Sequence, residues 1–224
     1  MGKVAHVSCR PAGLRDTVVD MPNQTQRFAD SSPGGLGLAA HQDSVLSNYQ
    51  QSGRLQSFSA TGIPGWLQTA DYARAMLGSI RRARGESEAD VEAAVTSRRR
   101  REELLRDGGR QVHSVISQAG LRYVVGGDPS VLTAALTHVR EALDWPTARL
   151  GVMPSFNYGP NLHPLGTFYI LDGNRVMLET DIDSTTVTEP EDVAMYERYF
   201  DAVAALAVYG DEAKAMVDGV ISSL

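Results

Sequence analysis

Apolar residues recur every three or four positions in several separate stretches of the chain, and each stretch predicts a helix with one buried face. Leu38, Ala39, Val45, Leu46 and Tyr49 predict a short helix over 38–49. A turn at Gly62, Pro64 and Gly65 follows. Thr69 then stands where it can cap a helix reaching Arg84, whose inner face carries Tyr72, Ala73, Met76, Leu77 and Ile80. Ser87 and Asp90 read as a capping pair for the next helix, which buries Val91, Ala94, Val95, Leu104 and Leu105 and stops at Gly108-Gly109. Beyond those glycines the period shortens. Residues 112–117 suit a strand, and Tyr123-Val124-Val125 is a second short apolar run ending at Gly126-Gly127. A helix over 130–143 packs Val131, Leu132, Ala135, Leu136, Val139 and Leu143 on one side. Residues 149–153, 167–171 and 175–180 read as strands, the last two joined by a hairpin at Asp172-Gly173 that Asn174 can lengthen. From Glu191 to Leu224 the helical period returns, with a break near Gly210. The order predicts an α+β or α/β domain, a small sheet covered by helices.

Residues 1–37 lack this regularity. Pro11, Pro22 and Pro33 interrupt them, and 31–35 (Ser-Ser-Pro-Gly-Gly) is linker-like, so they read as a flexible N-terminal arm ahead of one domain over 38–224. Val4, Val7, Val18 and Val19 allow short edge strands at most. A helix-turn-helix unit needs consecutive amphipathic helices around a short turn, and the arm does not supply them.

Composition narrows the function classes. Of the 224 residues, 42% are hydrophobic and 21% charged, which describes a globular chain rather than a disordered one. One cysteine, Cys9, excludes a disulfide scaffold and a four-cysteine zinc site. The longest apolar run, 202–209, is far short of a membrane span, and residues 1–20 carry no apolar core of a signal peptide. A cytoplasmic protein is the expectation. The net charge of -6 argues against nonspecific nucleic-acid binding, which depends on neutralising phosphates.

Candidate chemistry is sparse. Arg98-Arg99-Arg100-Arg101 sweeps around a helix and cannot face one ligand as a block. Glu102 and Glu103 follow, so the run reads as a solvated helix; the apolar stripe passes close to 98 and 101, which turns one or two of these arginines inward. The five histidines show no metal-binding spacing, and no nucleotide-binding glycine loop or nucleophile elbow is present, so neither a metal nor a cofactor is expected. The stretch 154–166 concentrates aromatics, amides and His163 in a loop stiffened by proline and glycine. It reads either as the wall of a small-molecule pocket or as a packed surface loop. Thr188 and Glu191 read as a helix start, with the neighbouring acids in its first turn rather than in a catalytic cluster.

Residues 63–77, Ile-Pro-Gly-Trp-Leu-Gln-Thr-Ala-Asp-Tyr-Ala-Arg-Ala-Met-Leu, closely resemble the P-G-L-L-Q-T-x-x-Y-A-R segment of the DUF5753 domain, also called the Scr1 type. Further segments match in order: 101–105 (Arg-Glu-Glu-Leu-Leu), 116–127, Val152-Met153-Pro154, Gly166-Thr167-Phe168, 176–179 (Val-Met-Leu-Glu), and Glu191-Asp192 with Tyr196 and Phe200-Asp201. The resemblance runs from about residue 38 to the C-terminus. Two features depart from the family pattern. Its DNA-binding unit is replaced by the arm, and Ser117-Gln118 stands where an acidic pair is expected.

The resemblance implies a regulatory domain, in the manner of actinobacterial XRE-family regulators but without their helix-turn-helix. Such a domain binds a small organic ligand or a DUF397-type protein; with no recognition helix visible and a negative net charge, specific DNA binding is not expected, nor is a membrane partner, and a homodimer is left open. The competing reading is an enzyme: a cofactor-free cyclase or isomerase of natural-product biosynthesis that reuses the regulator's pocket, since enclosing and orienting one flexible substrate supplies much of the acceleration such a reaction needs. Both readings place the site among the 154–166 loop, the strands over 167–180 and the helix beginning near Gln68. The expected ligand-binding residues are Trp66, Gln68, Tyr72, Arg74, Phe156, Tyr158, Phe168 and Tyr169. If the protein is an enzyme, His163 and Glu179 are the candidates to move a proton.

Overall fold

One mixed sheet sorts the large apolar side chains into two layers, because successive residues of a strand point to opposite faces. The computed structural model describes residues 24–27, 37–84, 90–154, 162, 166–179 and 183–224. Its strands are β1 (Gln24–Arg27), β2 (Arg54–Ser59), β3 (Gln111–Ser117), β4 (Ala148–Met153), β5 (Phe168–Leu171), β6 (Arg175–Glu179), β7 (Asp183–Val187) and β8 (Val208–Tyr209). The helices are α1 (Leu38–Gln50), α2 (Ala70–Arg84), α3 (Val91–Arg106), α4 (Pro129–Ala142), α5 (Pro190–Leu206) and α6 (Gly210–Ile221). Strand order across the sheet is β1-β7-β6-β5-β2-β3-β4-β8. Among the described strands only β2–β3 and β3–β4 pair in parallel, and helices of the α2–α4 region supply those two crossovers.

On one face, Leu55, Ile116, Val152 and Leu171 pack with Tyr49 of α1, Leu132 and Leu136 of α4, and Val217 of α6. On the other, Phe58, Val115, Phe168, Ile170 and Val176 pack against Val193, Tyr199, Phe200 and Val203 of α5. A third, smaller cluster (Leu38, Ala73, Leu77, Ala94, Val95) fastens α1, α2 and α3 to one another. Each fully buried Leu or Phe contributes on the order of 1.5–3 kcal/mol over an exposed one, so these layers hold the fold.

The mixed α/β class agrees with the sequence pattern, and the sheet is larger than that pattern showed. β2 carries only two apolar residues. It is nevertheless central, because Ser57 and its register partner Ser114 satisfy each other, Oγ to Oγ at 2.7 Å, inside the core. The polar segment Gln24–Arg27, within the stretch that reads as an arm, adds an edge strand antiparallel to β7. The rest of the arm, with its valines, lies outside the described residues. Tyr123-Val124-Val125 is not a strand. A 3₁₀ turn over Gly120–Arg122 precedes it, Tyr123 has extended backbone but the run pairs with no described strand, Tyr123 and Val124 are exposed, and Gly126 and Gly127, with φ of 71° and 77°, turn the chain directly after it.

Two turns behave as their residues require. Leu171 pairs with Arg175, leaving a three-residue loop in which Asp172 and Gly173 both adopt positive φ, and the Asp172 carboxylate accepts from the Gly53 and Arg54 amides. The C-terminal helical stretch breaks at Gly210, φ 57°, into α5 and α6, with β8 in the gap. The start of α5 differs from the expected Thr188–Glu191 capping. Glu189 occupies the cap position without a side-chain bond, Pro190 fills the first turn where no amide donor is needed, and Glu191 and Asp192 follow.

Candidate functional site

Arginines 98 and 101 are one helical turn apart on α3, so they share a face, and that face is the one turned toward α1 and the sheet. Arg98 is 8% and Arg101 is 2% exposed. Arg99 points outward to Glu102, with Arg106 and His138 completing that carboxylate's partners at 2.8, 3.5 and 3.1 Å respectively. The four-arginine run is thereby split: two members are interior, Arg99 is half-exposed and ion-paired, and Arg100 is exposed.

The interior pair is held by amides. Gln42 of α1 accepts at Oε1 from Arg98 Nε (3.0 Å) and from Arg101 Nη2 (2.6 Å), and its backbone carbonyl accepts from Arg101 as well (2.9 Å). Gln68, in the segment between the 65–67 turn and α2, accepts from Arg98 Nη1 and donates to the Ile63 carbonyl at 2.7 Å. Arg101 also lies over the Tyr49 ring. Among the described residues neither guanidinium has a carboxylate within ion-pair distance. Burial, with the Arg101 charge next in weight, lowers the Arg98 pKa to about 10, which still leaves it protonated near neutral pH.

Arg98 forms part of the wall of a cleft of about 270 Å³. Leu38 and His41 come from α1, Met76, Leu77 and Ile80 from α2, Ser59 from the end of β2, and Thr61, Ile63, Pro64 and Gly65 from the connection that follows it. Tyr169 of β5 and Glu179 of β6 close it from the sheet, with Tyr123 and Thr167 also contributing. Burial, then the Glu179 charge, raises the Tyr169 phenol well above its ordinary range, so it is a neutral hydroxyl. Glu179 Oε1 is buried and has no hydrogen-bond partner.

Three of the expected site residues meet here: Gln68, Tyr169 and Glu179. Trp66 and Tyr72 instead sit in the core, 1% and 0% exposed; Tyr72 donates to the Tyr123 carbonyl at 3.3 Å and supports the cleft from behind. Phe168 points to the opposite face of the sheet, against Tyr196 and Tyr199 of α5, since it neighbours Tyr169 on one strand. Arg74 lies on the exposed side of α2, bound to Asp71 (2.6 Å) and Glu92 (2.5 Å). Phe156, Tyr158 and His163 lie outside the described residues. Gln42 and Arg98 were not among the expected site residues. The signal for Arg98 was its i, i+3 relation to Arg101 along the apolar stripe; Gln42 gives none in the sequence. Among the described residues no three His, Cys, Asp or Glu side chains gather as a metal site, and no helix is long and apolar enough to cross a membrane.

Fold and cleft together define a mixed α/β domain with an interior polar cluster opening into a small cavity. The chain belongs to the family described as a domain of unknown function, DUF5753, whose pattern it matches over residues 43–219. No curated protein matches the sequence. Among solved structures it is similar to phosphatidylserine synthase of Haemophilus influenzae, with a TM-score of 0.50 and 8% identity over 90% of this chain and 44% of that one, so the chain spans less than half of the synthase. It is also similar to NucT from Helicobacter pylori (TM-score 0.43, 11% identity, 84% of this chain and 98% of that one). Nuc from Salmonella typhimurium, a phospholipase D family member, gives a TM-score of 0.40 at 13% identity over 84% of this chain and 97% of that one. The synthase supports the fold alone.

Proposed function

We propose that this chain is a regulatory domain of the Scr1 type that binds a small organic molecule in the cleft, and that it does not itself bind DNA. The observation that carries this reading is the make-up of the cleft wall. Leu38, Ile63, Leu77 and Ile80 give it apolar surface, while Gln68, Arg98, Tyr169 and Glu179 converge on it as a few fixed polar groups. That combination orients a small ligand and encloses most of its surface. The DNA half of the reading is supported by where several arginines of the helical region lie. Arg98 and Arg101 are interior, and Arg74, Arg99 and Arg106 are paired with acids.

Ligand-observed NMR with a fragment library tests the reading. Fragments that compete with one another for the wild-type protein should lose their signal in an Ile80→Trp variant, where the indole fills the cleft. Fragment binding that survives this substitution without mutual competition contradicts the proposal. For the DNA half, fluorescence anisotropy against a pool of random duplexes at about 0.15 M salt should show no sequence-selective binding.

The enzyme reading draws on one feature, the Glu179 carboxylate with its unpartnered Oε1 in the same wall. Such a group can take a proton from an enclosed substrate. A Glu179→Gln variant separates the two: an enzyme keeps its ligand and loses turnover, whereas a sensor shows no product with either residue.

A further inference from the structure

A buried guanidinium without an anionic partner is a costly arrangement, because amide oxygens replace only part of the hydration it gives up. Among the described residues Arg98 and Arg101 are two guanidiniums side by side with no carboxylate in ion-pair contact, sharing Gln42 as acceptor; Arg98 lies in the wall of the cleft, where the Glu179 charge acts on it without a direct bond. Glu179 is the one carboxylate among the described lining residues. Among the described residues the charges that act on Tyr169 in the cleft wall are Arg98, Glu179 and, behind the wall, Arg101, which together leave one net positive charge.

On the reading of the cleft as a ligand site, we infer that its ligand is a small organic monoanion, a carboxylate whose charged group is held by Arg98 and whose body offers a hydroxyl or amide N–H to Glu179. A carboxylate balances the surplus charge. A phosphate monoester, a dianion at pH 8, exceeds it and places its second charge against Glu179. The donor is placed by Glu179, the carboxylate of the described lining. Arginine suits the role through its planar fork, which matches a carboxylate bidentately. Size is set by the cavity of about 270 Å³, roughly the share of nine waters in the liquid, hence a ligand on the order of ten non-hydrogen atoms.

The test uses the full chain at about pH 8 and three carboxylic acids with a hydroxyl or amide donor: mandelate, 3-phenyllactate and N-benzoylglycine. Each is titrated beside its primary amide, with phenyl phosphate as the dianion, and binding is followed by NMR shifts of the cleft residues. At least one acid should bind, with a Kd on the order of millimolar for so small a molecule, and at least about tenfold more tightly than its amide and than phenyl phosphate. In Arg98→Met the preference for acid over amide should vanish. In Glu179→Gln, a change at a half-buried position that leaves folding intact, phenyl phosphate should gain at least about tenfold. Equal binding of acids and amides by the wild type, or an acid preference that persists in folded Arg98→Met, overturns the inference while leaving the cleft a ligand site. If no acid, amide or fragment shifts the cleft residues, the reading of the cleft itself fails.

Discussion

Gln68 is bound to Arg98 through its side-chain oxygen while its side-chain nitrogen donates to the Ile63 carbonyl at 2.7 Å. Both ends of one amide are thus committed, and the Pro64-Gly65-Trp66 turn is tied to the guanidinium that enters the cleft. A Gln68→Glu substitution converts this neutral partner into an internal counter-ion for Arg98. The substitution also removes the donor to the Ile63 carbonyl, so folding is checked by circular dichroism; in folded protein the expected outcome is loss of the acid-over-amide preference in the titrations above, to a ratio near one. An unchanged ratio would show that Arg98 does not select the ligand.

Neighbouring positions on α2 separate packing from surface charge. Tyr72→Ala removes a ring that is wholly buried and should cost about 3–5 kcal/mol in urea unfolding. Arg74→Ala removes only half-exposed ion pairs with Asp71 and Glu92, and should cost less than about 1 kcal/mol. Similar losses for the two would contradict the placement of this helix.

Glu102 gives the fold an acid-sensitive joint. Burial works to raise its pKa, but the His138 hydrogen bond and the charges of His138, Arg99 and Arg106 outweigh it and hold the carboxyl below its ordinary 4.5. A depressed folded value means that the unfolded chain takes up the proton first. The stabilisation is therefore complete above the unfolded value and is lost as pH falls from about 4.5 through the folded one. Glu102→Gln should cost roughly 1–3 kcal/mol near neutral pH, and the gap from wild type should narrow as the pH falls through that window. Chemical unfolding over a pH series reads this directly; a gap that widens on acidification would refute it.

Two glycines should respond in opposite directions to alanine. A Cβ on Gly151 of β4 would lie 2.6 Å from the Tyr209 ring, so Gly151→Ala must push β8 away and should cost about 1–3 kcal/mol. Gly219, in α6, has nothing within 4 Å of such a Cβ, and Gly219→Ala should gain about 0.5–1 kcal/mol from helix propensity alone. Thermal unfolding of both variants checks the pair.

Helices were the most legible part of this chain. An amphipathic stripe repeats within a single segment, so Leu38–Gln50, Ala70–Arg84, Val91–Arg106 and Pro129–Ala142 could be read locally, and Gly210 marked the neighbourhood of the C-terminal break, since its positive φ lets the chain turn into α6 just after α5 ends at Leu206. The same holds for the Asp172-Gly173 turn. β2 could not be read this way. Ser57 is acceptable in the core only because Ser114, 57 residues away, arrives opposite it, and hydropathy records neither the partner nor the bond. Gln24–Arg27 is a strand only because β7 offers an edge.

By itself the sequence determined the helices, the α/β class, the family signature and the presence of Gln68, Tyr169 and Glu179 in a region suited to a site. Only the tertiary structure decided which arginines became interior and what met them. Arg98 and Arg101 are bound to Gln42, more than fifty residues earlier, and Arg98 is joined to Gln68, thirty residues away. A charged side chain is expected at the surface because its desolvation is costly, and local pattern contains no term for amides brought up from distant elements to offset that cost. Adjacent residues were divided by the elements that cover each face: strand alternation sends Tyr169 and Phe168 to opposite sides, and only the packing makes one side the cleft and the other the face under α5.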